Sequence, residues 1–196
     1  LKPKLYMLLG LRKKVDSNMN KCTNLSMVNE RLGVKVLVVE DSKTLNKSLC
    51  ESLSKIGYEV TSAYTLKNTI DKLNEATYDY IIMDLNLPDA SGMSVVNSIK
   101  AISKDSKIIV LTSSNDISLR QELFTKGIVD YLRKDFKHDE IITEIDEIIV
   151  QTQRNSLIEI LIVDDSSLIR EQLKDLLSIK NYKLHFSKDS TSAYKT

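Results

Sequence analysis

Four stretches of this 196-residue chain are apolar at nearly every position. They are Val34-Lys35-Val36-Leu37-Val38-Val39, Tyr80-Ile81-Ile82-Met83, Ile108-Ile109-Val110-Leu111, and Ile128-Val129 with Tyr131-Leu132. Strands that are apolar on both faces belong to parallel sheets covered by helices on each side. Tyr58 to Ser62, with Val60 at its centre, supplies a fifth and less apolar strand suited to a sheet edge. Between these runs the apolar spacing turns helical. Leu45, Leu49, Leu53 and Ile56 form one stripe, stopped by Gly57. Leu66, Ile70 and Leu73 form another, and Val95, Val96, Ile99 and Ile102 a third. Leu119, Leu123 and Phe124 precede Gly127, and Ile141, Ile142, Ile145, Ile148 and Ile149 mark a last helix from His138 to Val150. Alternation of strand and helix predicts an α/β fold, a doubly wound five-stranded parallel sheet.

The pattern then starts again. At an offset of 124 residues, Leu37, Val39, Asp41, Ser42, Leu49, Leu53, Ser54 and Tyr58 fall on Leu161, Val163, Asp165, Ser166, Leu173, Leu177, Ser178 and Tyr182. Glu40 falls on Asp164, a residue of the same charge. This predicts a complete domain over residues 34–153 and the N-terminal part of a second such domain over 157–196. The polar, Pro- and Gly-free segment Gln151 to Ser156 is the linker, or simply a continuation of the last helix. The second copy is expected to hold one strand, one helix and a strand near Lys183 to Phe186. With few elements to cover its apolar face, it is expected to be chemically inert and either mobile or docked on another chain. Residues 1–33 read as an N-terminal helix or linker, with Leu5, Leu8, Leu9 and Leu11 at helical spacing and a polar stretch from Ser17 to Ser26. The chain begins with Leu and stops abruptly, so it reads as a fragment of something longer.

Composition narrows the function. A formal net charge of +1 gives no overall basic field, so direct nucleic-acid binding by this segment is not expected. No apolar run approaches the ~18–20 residues of a membrane span. Cys22 and Cys50, without a CxxC or a His cluster, read as reduced thiols in a cytoplasmic protein, Cys50 as core filling on the first helix.

In a parallel sheet, function gathers at the C-terminal ends of the strands. Those ends carry Glu40-Asp41, Asp84, Thr112 and Lys134. Three carboxylates crowded together raise one another's pKa, and a divalent cation relieves this. Oxygen ligands alone favour Mg2+ over zinc. A carboxylate needs no dedicated general base, so Asp84 could then attack phosphorus, with the Lys134 ammonium and the Thr112 hydroxyl on the phosphoryl oxygens. Taken singly each residue has a plainer reading: a solvated turn for Glu40-Asp41, a surface position for Lys134, a helix cap for Thr112. Asn115 or Asp116 would serve better as that cap. Their occurrence together at successive strand ends is what points to chemistry. His138 reads as an exposed residue at the start of the last helix.

The segment Asp84-Leu85-Asn86-Leu87-Pro88-Asp89-Ala90-Ser91-Gly92 resembles the phosphoacceptor loop of the receiver domains of bacterial two-component response regulators. The likeness covers residues 34 to about 153 and implies the flavodoxin-like receiver fold. By that resemblance Asp84 is the phosphoacceptor, and Glu40, Asp41, Asp84 and the backbone carbonyl of Asn86 hold Mg2+. Thr112 is the switch hydroxyl, Tyr131 the switch aromatic and Lys134 the phosphate-binding lysine. It further implies a histidine kinase or phosphotransfer protein as donor, and a signalling surface or homodimer face over Ile117 to Val150. A receiver is no enzyme in its own right, though it promotes its own aspartyl phosphorylation and dephosphorylation; an enzymatic output domain would lie past Thr196. Leu1-Lys2-Pro3 resembles the tail of a preceding receiver. The sequence departs from the family at Glu40, where Asp is commoner, at Ser113, where Ala is frequent, and at Asp135, which replaces a Pro. An alternative is a receiver-like interaction module that is never phosphorylated; the intact acidic pair, Asp84 and Lys134 argue against it. A phosphatase working through an aspartyl phosphate would want a second Asp where Asn86 stands.

Overall fold

The computed structural model describes residues 30–113, 117–178 and 180–193. Expectations for Cys22, for Leu1-Lys2-Pro3, for the leucines at 5, 8, 9 and 11, and for Asn115 and Asp116 lie outside the described residues. The chain divides into two units, with the division after Val150.

Besides a short hairpin of β4 (Asn86–Leu87) and β5 (Ala90–Ser91), the strands of the first unit are β1 (Lys35–Val39), β2 (Glu59–Ala63), β3 (Tyr80–Asp84), β6 (Lys107–Thr112) and β7 (Asp130–Arg133). These five form one parallel sheet in the order β2-β1-β3-β6-β7, so the less apolar β2 is an edge, as its composition predicts. Between them run α1 (Lys43–Lys55), α2 (Leu66–Glu75), α3 (Met93–Ile102), α4 (Ile117–Thr125) and α5 (His138–Asn155).

Consecutive apolar residues in a strand point to opposite faces, and each face needs its own cover. Val36, Val38, Tyr80, Ile82, Ile109 and Leu111 pack with Leu49 and Leu53 of α1 and Ile141, Ile145 and Ile149 of α5. Leu37, Val39, Ile81, Met83, Ile108 and Val110 pack with Leu73 of α2, Val95, Val96 and Ile99 of α3 and Leu123 of α4. β3 is buried at all five positions. Truncating a fully buried leucine such as Leu49 or Leu53 would cost about 2–5 kcal/mol.

Local signals set the element ends. Ser42 caps α1 by accepting from the Leu45 amide, and Thr65 caps α2 by accepting from the Asn68 amide. Gly57, at φ +116°, follows α1 where the Tyr58 amide reaches back to the Leu53 carbonyl. Cys50 packs against the α1 side of the core, and burial raises its thiol pKa.

Several details differ from the sequence reading. β7 begins two residues later than the apolar run that predicts it, although Ile128 and Val129 are buried. The choice left open at Gln151 to Asn155 falls to the helix: α5 runs through these polar residues, which contain no helix breaker. His138 does begin α5, but it is not exposed. α1 and α5 pack on one sheet face, and the ring Nε2 lies 3.1 Å from Ser48 Oγ and 3.0 Å from Ser52 Oγ.

A clamp ties the segment before β1 to α5. Arg31 donates from Nε to Asp146 Oδ1 at 2.7 Å and from Nη2 to Oδ2 at 2.6 Å. The buried Tyr58 hydroxyl donates to Asp146 Oδ1 at 2.7 Å. Burial pushes the Asp146 carboxyl up, but the hydrogen bonds from Arg31 and Tyr58 outweigh it and hold the group below its ordinary value. Its stabilisation is therefore complete above the unfolded pKa of about 4 and is lost as pH falls through the lower folded value. Arg31→Ala should cost about 1–3 kcal/mol in urea unfolding at pH 7. The deficit should shrink as the titration is taken into the acid range.

In the second unit, β8 (Glu159–Val163) pairs in parallel with β9 (Lys183–Ser187), with α6 (Ser167–Ser178) between them and α7 (Ser190–Ala193) after. α6 has no buried residue. Leu157, Leu161, Leu168 and Leu176 are all exposed.

Candidate functional site

The site forms where the strands of the first unit end. β1 closes on Val39, and Glu40 turns inward, only 2% exposed. Its amide donates to the Ala63 carbonyl at the end of β2. Its carboxylate accepts from the Ser42 amide through Oε1, while Asp41 faces solvent. The turn is held from beneath by Asn46, fully buried on α1, whose Nδ2 donates to the carbonyls of Glu40 at 3.0 Å and Ala63 at 2.8 Å.

Sequence reasoning passed over Asn46. The signal was there: an amide residue three positions before Leu49 and seven before Leu53 sits on a helix face that should be apolar.

Asp84 ends β3, the central strand, and is 5% exposed. Thr112 ends the neighbouring β6 and is 1% exposed; its carbonyl accepts from the Lys134 amide at 3.0 Å. Register across β6 and β7 sets Thr112 beside Arg133 and so delivers Lys134 to the site. The Lys134 ammonium lies 2.8 Å from Asp84 Oδ2 and 2.6 Å from Glu40 Oε2. Tyr131 is half-buried, opposite Val110, and packs on the α2–α4 side of the sheet. Asn86 lies in β4 (Asn86–Leu87), which pairs with β5 (Ala90–Ser91) in a two-residue hairpin that the apolar pattern does not predict. Leu85 and Leu87 anchor this loop in the core. It closes where the amide of Gly92, at φ +62°, donates to the Leu85 carbonyl at 2.8 Å.

Burial and shared charge set the electrostatics of this cluster. Burial raises the Glu40 pKa, opposed by Lys134 and reinforced by the charge of Asp84. Burial alone would lower the Lys134 pKa, but Asp84 and Glu40 outweigh it and leave the ammonium above its ordinary value. One ammonium thus serves two buried carboxylates, and the Asp84 Oδ1 atom is buried without a hydrogen-bond partner. One oxygen each from Glu40, Asp41 and Asp84 comes within 4.8 Å of the others. An acidic, all-oxygen cluster with an orphaned buried oxygen fits a hard divalent cation.

Comparison with known proteins gives the same picture. The family model described as the response regulator receiver domain matches residues 36–146. The chain is 29% identical over 116 residues to the cell cycle transcriptional regulator CtrA of Caulobacter vibrioides, covering 59% of this chain and 50% of that protein. It therefore spans about half the length of that curated relative. Among solved structures, the chemotaxis response regulator CheY4 of Vibrio cholerae matches at 27% identity with a TM-score of 0.54, over 59% of this chain and 98% of that one. A two-component system response regulator/GGDEF domain protein matches at 25% identity with a TM-score of 0.66, over 83% of this chain and 64% of that one.

Proposed function

The chain belongs to the response regulator receiver domain family, and from that premise we propose that Asp84 accepts a phosphoryl group from a histidine kinase or phosphotransfer protein. The observation that carries the reading is the pairing of a buried Asp84, one oxygen orphaned, with the Lys134 ammonium at 2.8 Å beside two further carboxylates.

In the proposed step an Asp84 carboxylate oxygen forms a bond to phosphorus while the donor's bond to phosphorus breaks. The electron pair leaves with the donor, an imidazole in a phosphohistidine or acetate in acetyl phosphate. The nucleophile is a carboxylate oxygen, so no hydroxyl or thiol proton has to be removed by a general base. Lys134 neutralises charge on the transferring group, and Thr112 supplies a hydroxyl from the next strand. Mg2+ would be held by Glu40, Asp41, Asp84 and the Asn86 carbonyl, and when bound it supplies positive charge to the phosphoryl oxygens. Glu40, one methylene longer than Asp, reaches Lys134 as well as the cluster. Thr112 and Tyr131 act as the switch pair, and α4, β7 and α5, roughly Ile117 to Val150, carry the readout or a homodimer contact. A cytoplasmic location follows from such a donor.

Residues 157–196 are, in this reading, the start of a second receiver, after a first over 34–153 and an N-terminal helix or linker over 1–33. Backbone detail supports it. β1 pairs with β2 from Lys35↔Glu59 to Val39↔Ala63, and β8 with β9 from Glu159↔Lys183 to Val163↔Ser187, the same register at the 124-residue offset. Ser166 caps α6 through the Ile169 amide as Ser42 caps α1 through the Leu45 amide. Asp164 accepts from the Ser166 amide as Glu40 does from Ser42. Asn181, at φ 67°, stands where Gly57 does. The response regulator/GGDEF domain protein also matches over 83% of this chain, more than the first unit holds.

Incubation with acetyl phosphate and Mg2+ should add one phosphoryl group by intact mass, labile to hydroxylamine as an acyl phosphate is. Chelation with EDTA should prevent it. Labelling that ignores the chelator, or none under any condition, would remove the basis of the proposal.

A further inference from the structure

We propose that Asp89 is a positioning residue for phosphoryl transfer, latching the acceptor hairpin to the N-terminus of α2. The proposal rests on the reading of Asp84 given above. Pro88 and Asp89 form the two-residue turn between β4 and β5, four and five positions beyond Asp84. From that tip the Asp89 carboxylate accepts from the Leu66 amide at 2.8 Å through Oδ1 and from the Lys67 amide at 2.9 Å through Oδ2. A helix leaves its first amides without intrahelical partners. In α2 the later ones are met within the segment itself: Thr65 Oγ1 takes the Asn68 amide and the Thr65 carbonyl takes the Thr69 amide. Asp89 takes the first two. Both its oxygens are engaged, and these amide bonds hold its pKa below the usual carboxylate range.

The consequence lies in how the loop is held. Its inner side is fixed by the buried Leu85 and Leu87 and by the Gly92 amide on the Leu85 carbonyl. The outer side, at the turn, is held by Asp89 against a helix that packs on the same sheet face as α3. Release of that outer hold lets the hairpin shift, and Asn86 and Asp84 shift with it. Transfer to a carboxylate depends on in-line placement, where an ångström-scale error costs up to about 100-fold, so partial loosening should slow uptake by about 5–20-fold. An Asn offers one acceptor oxygen in place of two and should fall between.

The test compares the full chain with Asp89→Ala, Asp89→Asn and Thr65→Ala. Thr65→Ala weakens the same end of α2 without touching the hairpin. The initial rate of phosphoryl uptake from acetyl phosphate at saturating Mg2+ is followed by intact mass, and amide hydrogen exchange over residues 85–91 is measured without donor. Asp89→Ala should lower the rate about 5–20-fold and speed exchange in the hairpin, while Thr65→Ala keeps the rate within about twofold of the parent. An unchanged rate in Asp89→Ala overturns the latch, as does equal slowing by Thr65→Ala, which would make Asp89 a helix cap and nothing more. A parent chain that takes up no phosphoryl group overturns the reading of Asp84 itself, an outcome visible before any variant is compared.

Discussion

Asp84→Asn is expected to reduce phosphoryl uptake from acetyl phosphate to background. The amide cannot attack phosphorus, whereas the carboxylate it replaces is placed at the end of the central strand with one oxygen orphaned and the other on an ammonium. Among the described residues, Glu40, Asp41 and Asp84 are the acidic cluster able to gather round a cation, and the other two members have different stations. Glu40 is committed to the Ser42 amide and to Lys134, and Asp41 faces solvent. The variant should still fold, since Asn has the same shape and keeps one acceptor for Lys134. Comparison of intact masses with the parent under identical donor and Mg2+ checks both points, with circular dichroism as the control for fold. Full labelling of Asp84→Asn would move the acceptor elsewhere.

Lys134→Ala should show the next largest effect, in stability as well as chemistry. The ammonium is the shared partner of Glu40 and Asp84, whose side chains are 2% and 7% exposed. Removing it leaves two buried carboxylates facing each other, a change that costs about 3–5 kcal/mol where a buried ion pair is broken. The loss should be largest without divalent cations and should shrink with Mg2+, which binds the folded site and not the unfolded chain. The pH dependence has a definite sign. Lys134 lies above its ordinary value in the fold, so in the parent its contribution is full below the unfolded pKa of about 10.4 and disappears as pH rises through the folded one. Glu40 is also raised, so protonation favours the fold; the deficit of Lys134→Ala should therefore narrow as pH falls through the Glu40 range. Phosphoryl uptake should drop about 100-fold or more, as expected when a charge-stabilising donor is removed. Urea unfolding with and without Mg2+, repeated across pH, reads the stability terms.

The strand ends were legible because a parallel sheet writes itself into sequence so directly. Each buried strand is an apolar run, and the first polar residue after it sits at the C-terminal edge. Glu40, Asp84 and Thr112 are each the first polar residue after their runs and Lys134 the second after its own, and the structure brings Glu40, Asp84 and Lys134 together. What the pattern missed had no period to reveal it. Arg31, Tyr58 and Asp146 meet across 115 and 88 residues of chain, and nothing local to any of them announces the other two. Each strand of the β4–β5 hairpin is two residues long, too short for alternation to register, although Pro88-Asp89 is a turn signal. A polar residue at a helix start is usually exposed, and only the packing of α5 beside α1 brings His138 to Ser48 and Ser52. Asn46 was different, a visible anomaly on an apolar stripe whose meaning depended on the carbonyls it would meet.

If Asp84 is the acceptor, chemical trapping of its phosphate leaves a permanent mark at that one carboxylate. Borohydride reduces an acyl phosphate to an alcohol, so an aspartyl phosphate becomes homoserine while free carboxylates are untouched. The chain would be treated with acetyl phosphate and Mg2+, reduced, digested and sequenced by tandem mass spectrometry. Homoserine is expected at position 84, dependent on donor and on Mg2+, and at no other aspartate. Homoserine at Asp41 or at another aspartate in place of Asp84, or a parent chain that yields none, would contradict that assignment.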